Sequence, residues 1–310
     1  MVFLGKMLAA VFAWGAYVVL RLAGWKHKTV LANAKHVAGA FPKAVPGDSP
    51  DASTAAPVNY DELLFNLTRH VGELLFCFKT FKKLPSDFTA YPCCVDGWTF
   101  DIDEGSAPVL EKMRNGGIFL TAHYGNYEAM GPWLCCLGIP LVASYIPVKP
   151  KWLNNILERK IRAVNGRSYS VDAQTPRDFL RILNDGKLFC LLADQDSRIP
   201  SALPGTFLGK PVNVNPLPDF LLEHRPQTPV FICWMEEICG VRVLHAVEVE
   251  RAPFPGAAHL VSPAQSSSSI VNNQFNKWLE QRILENPNLW YGFTHRRFYS
   301  REPKIYEGKT

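Results

Sequence analysis

The sequence predicts an α/β fold: a layered, mixed and mainly parallel sheet flanked by helices, preceded by an N-terminal membrane-anchor helix. Three observations predict it. From residue 116 onward, short apolar runs of strand type alternate with helical ones. The opening "MVFLGKMLAAVFAWGAYVVLRLAGWKHK" holds fourteen uncharged residues between Lys6 and Arg21 and approaches the ~20 needed to cross a bilayer. Apolar residues make up 47 % of the 310 and charged residues 20 %, enough to furnish a sizeable core and to set disorder aside.

Taken in order, residues 1–25 form the anchor, uncleaved because no small-x-small site precedes a polar start. The basic cluster after it (Arg21, Lys26, Lys28) favours a cytoplasmic location for the rest of the chain. A cleaved signal peptide and a buried amphipathic helix are the rivals. Residues 26–310 form one catalytic domain. In it, "TVLANAKHVAGAFP" reads as a short helix stopped near Phe41–Pro42, and 43–58 is a flexible Pro/Ala/Ser/Asp loop. Asn59 then caps a helix, with Glu62 three residues on. Its apolar face is Leu64, Leu67, Val71, Leu74, Leu75 and Phe78.

Further on, "IFLTA", "LVASYI", "LFCLLA", "VFICWM" and "VRVLHAVEV" read as strands, the last of them antiparallel. Residues 151–164, 176–184, "PLPDFLLEH" and 268–285 read as helices. The eight cysteines show no C-x-x-C spacing and sit mostly among apolar residues, as reduced thiols do. The net charge of +5 is no nucleic-acid signature. Its spread, with Arg296, Arg297, Arg301, Lys304 and Lys309 at the far end, suits an anionic lipid surface or a phosphorylated substrate.

The chemistry concentrates in "GGIFLTAHYGNYEAMGPWL". A strand ends on His123, and Glu128 falls in the first turn of the next helix, where the carboxylate folds back onto the imidazole. A base held by an orienting carboxylate takes a proton from a hydroxyl. The plain alternative is a histidine ending a strand and a glutamate favoured by a helix N-terminus. Pro132 should kink that helix or mark its true start at Gly131–Pro132. Arg162 binds a phosphate or merely belongs to a charged, solvated helix. Asp194 and Asp196, after another strand, accept hydrogen bonds from substrate hydroxyls and Arg198, hold a divalent metal, or simply pair with Arg198.

"HYGNYE" resembles the H-x-x-x-x-D/E block of the lysophospholipid acyltransferase superfamily, and more closely that of the lipid A late acyltransferases. "NAKHVAGAFP", "IRAVNG", "LLADQDSR", "GTFLGKPV" and "NPNLWYGFTHRRF" resemble further blocks of that family in its order, covering nearly the whole chain. The resemblance implies a glycerolipid acyltransferase-like domain anchored at the inner membrane, with no metal, cofactor or covalent acyl-enzyme. It implies acyl carrier protein as donor, a lipid A precursor as acceptor, His123 and Glu128 as catalytic residues, and an active-site role for Asp194. A lysophospholipid or other glycolipid acceptor, a metal-dependent hydrolase using His123, Glu128, Asp194 and Asp196, and a non-catalytic lipid-binding protein remain as alternatives. Ile146, in "YIP", departs from the family's Y-R-P segment.

Overall fold

In chain order the helices are α1 (Val2–Leu22), α2 (His27–Val37), α3 (Tyr60–Cys77), α4 (Ala107–Met113), α5 (Tyr127–Cys136), α6 (Lys151–Ile156), α7 (Pro176–Asn184), α8 (Leu217–His224) and α9 (Ile270–Glu285). The strands are β1 (Cys93–Val95), β2 (Trp98–Ile102), β3 (Gly117–Thr121), β4 (Leu141–Ser144), β5 (Ala163–Val164), β6 (Arg167–Ser168), β7 (Ser170–Val171) and β8 (Leu188–Leu192). After them come β9 (Leu203–Phe207), β10 (Lys210–Val214), β11 (Val230–Ile238) and β12 (Val241–Glu248). The structure, a computed structural model, describes residues 2–41, 57–144, 149, 151–173, 175–250 and 269–307. All but the last two residues of the loop expected over 43–58 lie outside the described residues, as does Ile146.

The chain gathers into two compact units. The first takes Met1–Ala13, Arg69–Leu192 and Leu217–Glu250; the second takes Trp14–Thr68, Ala193–Pro216 and Arg251–Thr310. An eight-stranded sheet in the order β1-β2-β12-β11-β3-β8-β4-β7 dominates the first unit. Its pairs are parallel except β1–β2 and β11–β12. Central β3 is buried along its whole length, as its continuous apolar run requires of a strand covered on both faces. Against the sheet lies a core centred on Trp133, whose ring meets Phe100 edge to face at 5.3 Å and donates its indole N–H to the Tyr91 hydroxyl at 2.9 Å.

In the second unit α2, α9 and the antiparallel β9–β10 hairpin surround a smaller aromatic core. Trp290 lies 5.2 Å from Phe207 and 4.7 Å from Phe293, ring to ring. α9 buries Val271, Phe275, Leu279 and Ile283 at helical spacing, and the Ser269 hydroxyl caps it by accepting from the Asn272 N–H.

α1 contributes to both units. Its stretch Phe3–Leu22 is long and apolar enough to cross a membrane. One face packs on α3. In the first unit a Cβ on Gly72 would come within 2.6 Å of the Ala9 carbonyl oxygen, so glycine lets the helices touch there. In the second unit Trp14 and Tyr17 pack on Phe65, and Arg21 pairs with Asp61. Away from α3 the helix exposes Phe3, Met7, Val11, Val18 and Leu22.

Three expectations change. Residues 151–164 are not one helix: α6 ends at Ile156, the chain widens into a π-turn over Leu157–Ile161, and Ala163–Val164 is already a strand. α5 begins at Tyr127 and runs through Pro132, so its start is not at Gly131–Pro132. On α3 the buried face is set off from the one expected. Val71 is 37 % exposed, while His70 and Glu73 are buried beside Leu63, Leu64, Leu74 and Cys77, because these two polar groups find partners inside.

Candidate functional site

Apolar β3 enters the sheet and leaves it at Ala122. The four residues His123 to Asn126 turn the chain into α5 and set Glu128 in its first turn, as the sequence predicts. His123 is half-buried, its ring edge-on to Tyr127 at 5.0 Å.

Glu128 meets a different partner from the one expected. Its carboxylate is held by Arg162: Nη2 donates to Oε1 at 2.7 Å and Nε to Oε2 at 3.4 Å, a two-pronged pair. Among the described residues, the hydrogen bonds that Glu128 makes all come from Arg162. Arg162 also donates to Glu158 at 3.3 Å, and Glu158 is held in turn by the hydroxyls of Ser168 and Ser170. Burial opposes the guanidinium's charge, but Glu128 and then Glu158 outweigh it, so Arg162 is held above its ordinary value. With two carboxylates already facing it, a substrate phosphate would have to share this cation.

The pair opens on a small cavity of about 80 Å³ between α5 and the sheet, lined by Glu128, Gly131, Arg162 and Tyr169 together with apolar Phe119, Met130 and Leu141. Gly131 makes the close approach: a Cβ there would fall 2.4 Å from the Tyr169 hydroxyl. Burial first, and the Glu128 charge after it, push the Tyr169 phenol up and the Cys190 thiol up to about 12. Both stay neutral at physiological pH, so neither is an activated nucleophile.

The turn is gripped from α3 by residues that escaped the sequence reading. Asn126 donates to Glu73 Oε2 at 2.8 Å, and Arg242 donates to Glu73 Oε1 at 3.0 Å from under the Trp98 ring. His70 hydrogen-bonds the backbone of Gly125 and meets Arg69 Nη2 at 3.1 Å through Nε2. A guanidinium only donates, so that ring nitrogen accepts. Burial, then Arg69 and Arg242, hold His70 well below its ordinary 6.5, and burial raises the Glu73 carboxyl. The available signal was positional: His70 and Glu73 share a helical face with Leu63, Leu74 and Cys77, where a solvated residue has no business.

Asp194, Asp196 and Arg198 belong to the second unit. Asp194 is 1 % exposed and accepts the Trp290 indole N–H at 2.9 Å. Asp196 accepts from the Ser300 N–H at 3.1 Å, the Ser300 hydroxyl at 2.8 Å and Arg198 Nε at 3.3 Å. Arg198 is otherwise exposed and stacks on Tyr299 at 4.7 Å. Near both aspartates lies Arg297, 1 % exposed, donating to the carbonyls of Gln195 and Asn213 at 2.8 Å each. Burial lowers its guanidinium to about 10 against the pull of Asp194 and Asp196. Buried Asn33 completes the group, donating to the Phe293 and His295 carbonyls at 2.8 and 2.7 Å and accepting from the Tyr306 hydroxyl at 2.6 Å. These groups tie chain to chain. Among the described residues Asp196 Oδ1 and the Nε and Nη2 groups of Arg297 are buried without a hydrogen-bond partner. Arg296 is exposed over Tyr299 and Tyr306.

Among the described residues no three His, Cys, Asp or Glu side chains gather as a metal-binding group, and all eight cysteines are free thiols. Compared with known proteins, the chain matches no family model and no curated sequence.

Proposed function

We propose that this protein is a membrane-associated O-acyltransferase of the lipid A late acyltransferase type, with a glycerolipid acyltransferase-like catalytic domain. One observation carries the reading: blocks that resemble that family in sequence and order meet in pairs in space. Glu128 of "HYGNYE" is bonded to Arg162 of "IRAVNG", and Asp194 of "LLADQDSR" to Trp290 of "NPNLWYGFTHRRF". Chance likenesses scattered along 310 residues would have no reason to seek each other out.

In this reading His123 removes the proton from an acceptor hydroxyl while the oxygen attacks the carbonyl of an acyl thioester. The C–S bond of the tetrahedral intermediate then breaks, and the imidazolium returns the proton to the departing thiolate. Glu128 supplies the negative charge that favours the imidazolium. Arg162 is a positioning residue that fixes the carboxylate by its two-pronged pair. The donor is acyl carrier protein and the acceptor a lipid A precursor or related glycolipid at the cytoplasmic face of the inner membrane. α1 supports membrane association by its outward apolar face. Its packing on α3 favours lying in the interface over crossing it, because a crossing α1 would draw Asp61 and Arg69 into lipid.

The test is transfer of labelled acyl groups from acyl-acyl carrier protein, and separately from acyl-coenzyme A, to lipid A precursors, lysophospholipids and glycolipids. His123→Ala should lose about 10²-fold or more in turnover, the usual share of a general base. Unchanged turnover in that variant would remove His123 from the mechanism.

A further inference from the structure

With Arg162 occupied by two carboxylates, other cations remain to receive an anion, and four of them stand together on the far side of the same π-turn. Lys79 and Lys82, just past the end of α3, face Arg159 and Lys160 of the turn across a groove of about 700 Å³, within the range of cavities that hold small-molecule ligands. Leu75, Phe78, Ile156 and Ile161 form its apolar walls. No Asp or Glu lines it, and among the described residues no carboxylate pairs with any of the four cations. The one acidic residue of the turn, Glu158, is turned away to Arg162, Ser168 and Ser170. Lys82 is fixed in place, donating to the Lys160 carbonyl with its ammonium 4.9 Å from the centre of the Phe78 ring.

Four cations without a counter-charge recognise a dianion, and an apolar wall beside them recognises a hydrocarbon chain. We propose that this groove binds a lipid phosphate, the phosphate among Lys79, Lys82, Arg159 and Lys160 and the first part of the chain against Leu75, Phe78, Ile156 and Ile161. A free polyanion would leave the apolar wall wet. An acidic protein helix would be met by a convex basic surface more readily than by a recess with an apolar floor. The π-turn ties this site to the candidate centre, since Arg159 and Lys160 face the groove while Arg162, two residues on, holds Glu128. The inference goes beyond the acyl-transfer reading and stands whether or not His123 catalyses.

The experiment titrates the full chain, in neutral detergent, with dihexanoyl phosphatidic acid, dihexanoyl phosphatidylcholine, inorganic phosphate and an acidic peptide, binding being read by calorimetry. Wild type should prefer phosphatidic acid over phosphatidylcholine and over phosphate. The double variant Lys79→Ala/Arg159→Ala, both side chains being exposed, should bind it about tenfold more weakly or worse while keeping its circular dichroism spectrum. Lys112→Ala, a surface cation elsewhere, should bind as wild type does. Equal binding of the two lipids, phosphate bound as tightly as phosphatidic acid, a double variant that binds normally, or binding of the peptide alone would each overturn the proposal.

Discussion

Two arginines of this molecule, among the several that lie near carboxylates, stand in opposite surroundings. Arg162 pairs with Glu128, which is 25 % exposed, beside a cavity. Arg297 lies 1 % exposed near Asp194 and Asp196, its Nη1 donating to two backbone carbonyls. The first pair keeps water and space within reach, as chemistry requires. The second is sealed, and its loss would strand buried charge. A charged motif legible in sequence therefore says little about its role until its burial is known.

The largest expected effect is on the sealed side. Arg297→Ala should destabilise the protein by about 3–5 kcal/mol, the usual consequence of leaving buried acids uncompensated, as measured by urea unfolding. Mild destabilisation would place the arginine in wetter surroundings than it has here and break the contrast. On the open side, Glu128→Gln and Arg162→Met should each cost less than about 1 kcal/mol of stability while acyl transfer falls about 10²-fold. Should they instead unfold like Arg297→Ala, the two pairs would be alike and Glu128 would be structural.

A third test concerns the grip on the His123 turn. His70 is neutral in the fold with its value held below 6.5, so the unfolded chain binds the proton first as pH falls. Its contribution to stability is therefore complete above about pH 6.5 and is lost as pH drops toward the folded value, at no more than about 1.4 kcal/mol per pH unit. His70→Asn should flatten that slope in thermal melts; an unchanged slope would point to other groups. The smallest effect is expected for Arg198, 57 % exposed on a single carboxylate. Arg198→Ala should move stability by within about 0.5 kcal/mol. A loss of acyl transfer in that variant, with stability intact, would restore the substrate-binding role expected of it from sequence.

Elements with strong periodicity were legible in sequence. α7 falls on 176–184, β8 fills "LFCLLA", and Asn59 caps α3 by accepting from the N–H groups of Asp61 and Glu62. The β1–β2 and β9–β10 hairpins were not legible: their strands are three to five residues long and carry polar or glycine positions, too short for a period to register. The π-turn likewise looks like plain helix, since one extra residue in a turn leaves no mark on composition.

The sequence by itself determined where strands end and helices begin, and so put His123 in a turn and Glu128 at the head of α5. It could do so because hydrophobic period and capping act over a few neighbouring residues. Only the tertiary structure decided which guanidinium Glu128 would hold, which aspartates would be sealed, and that His70, Glu73 and Arg242 would brace the turn. Those pairings join residues 34 to 169 positions apart, and a contact across that distance is set by the packing of whole elements, on which no local pattern reports.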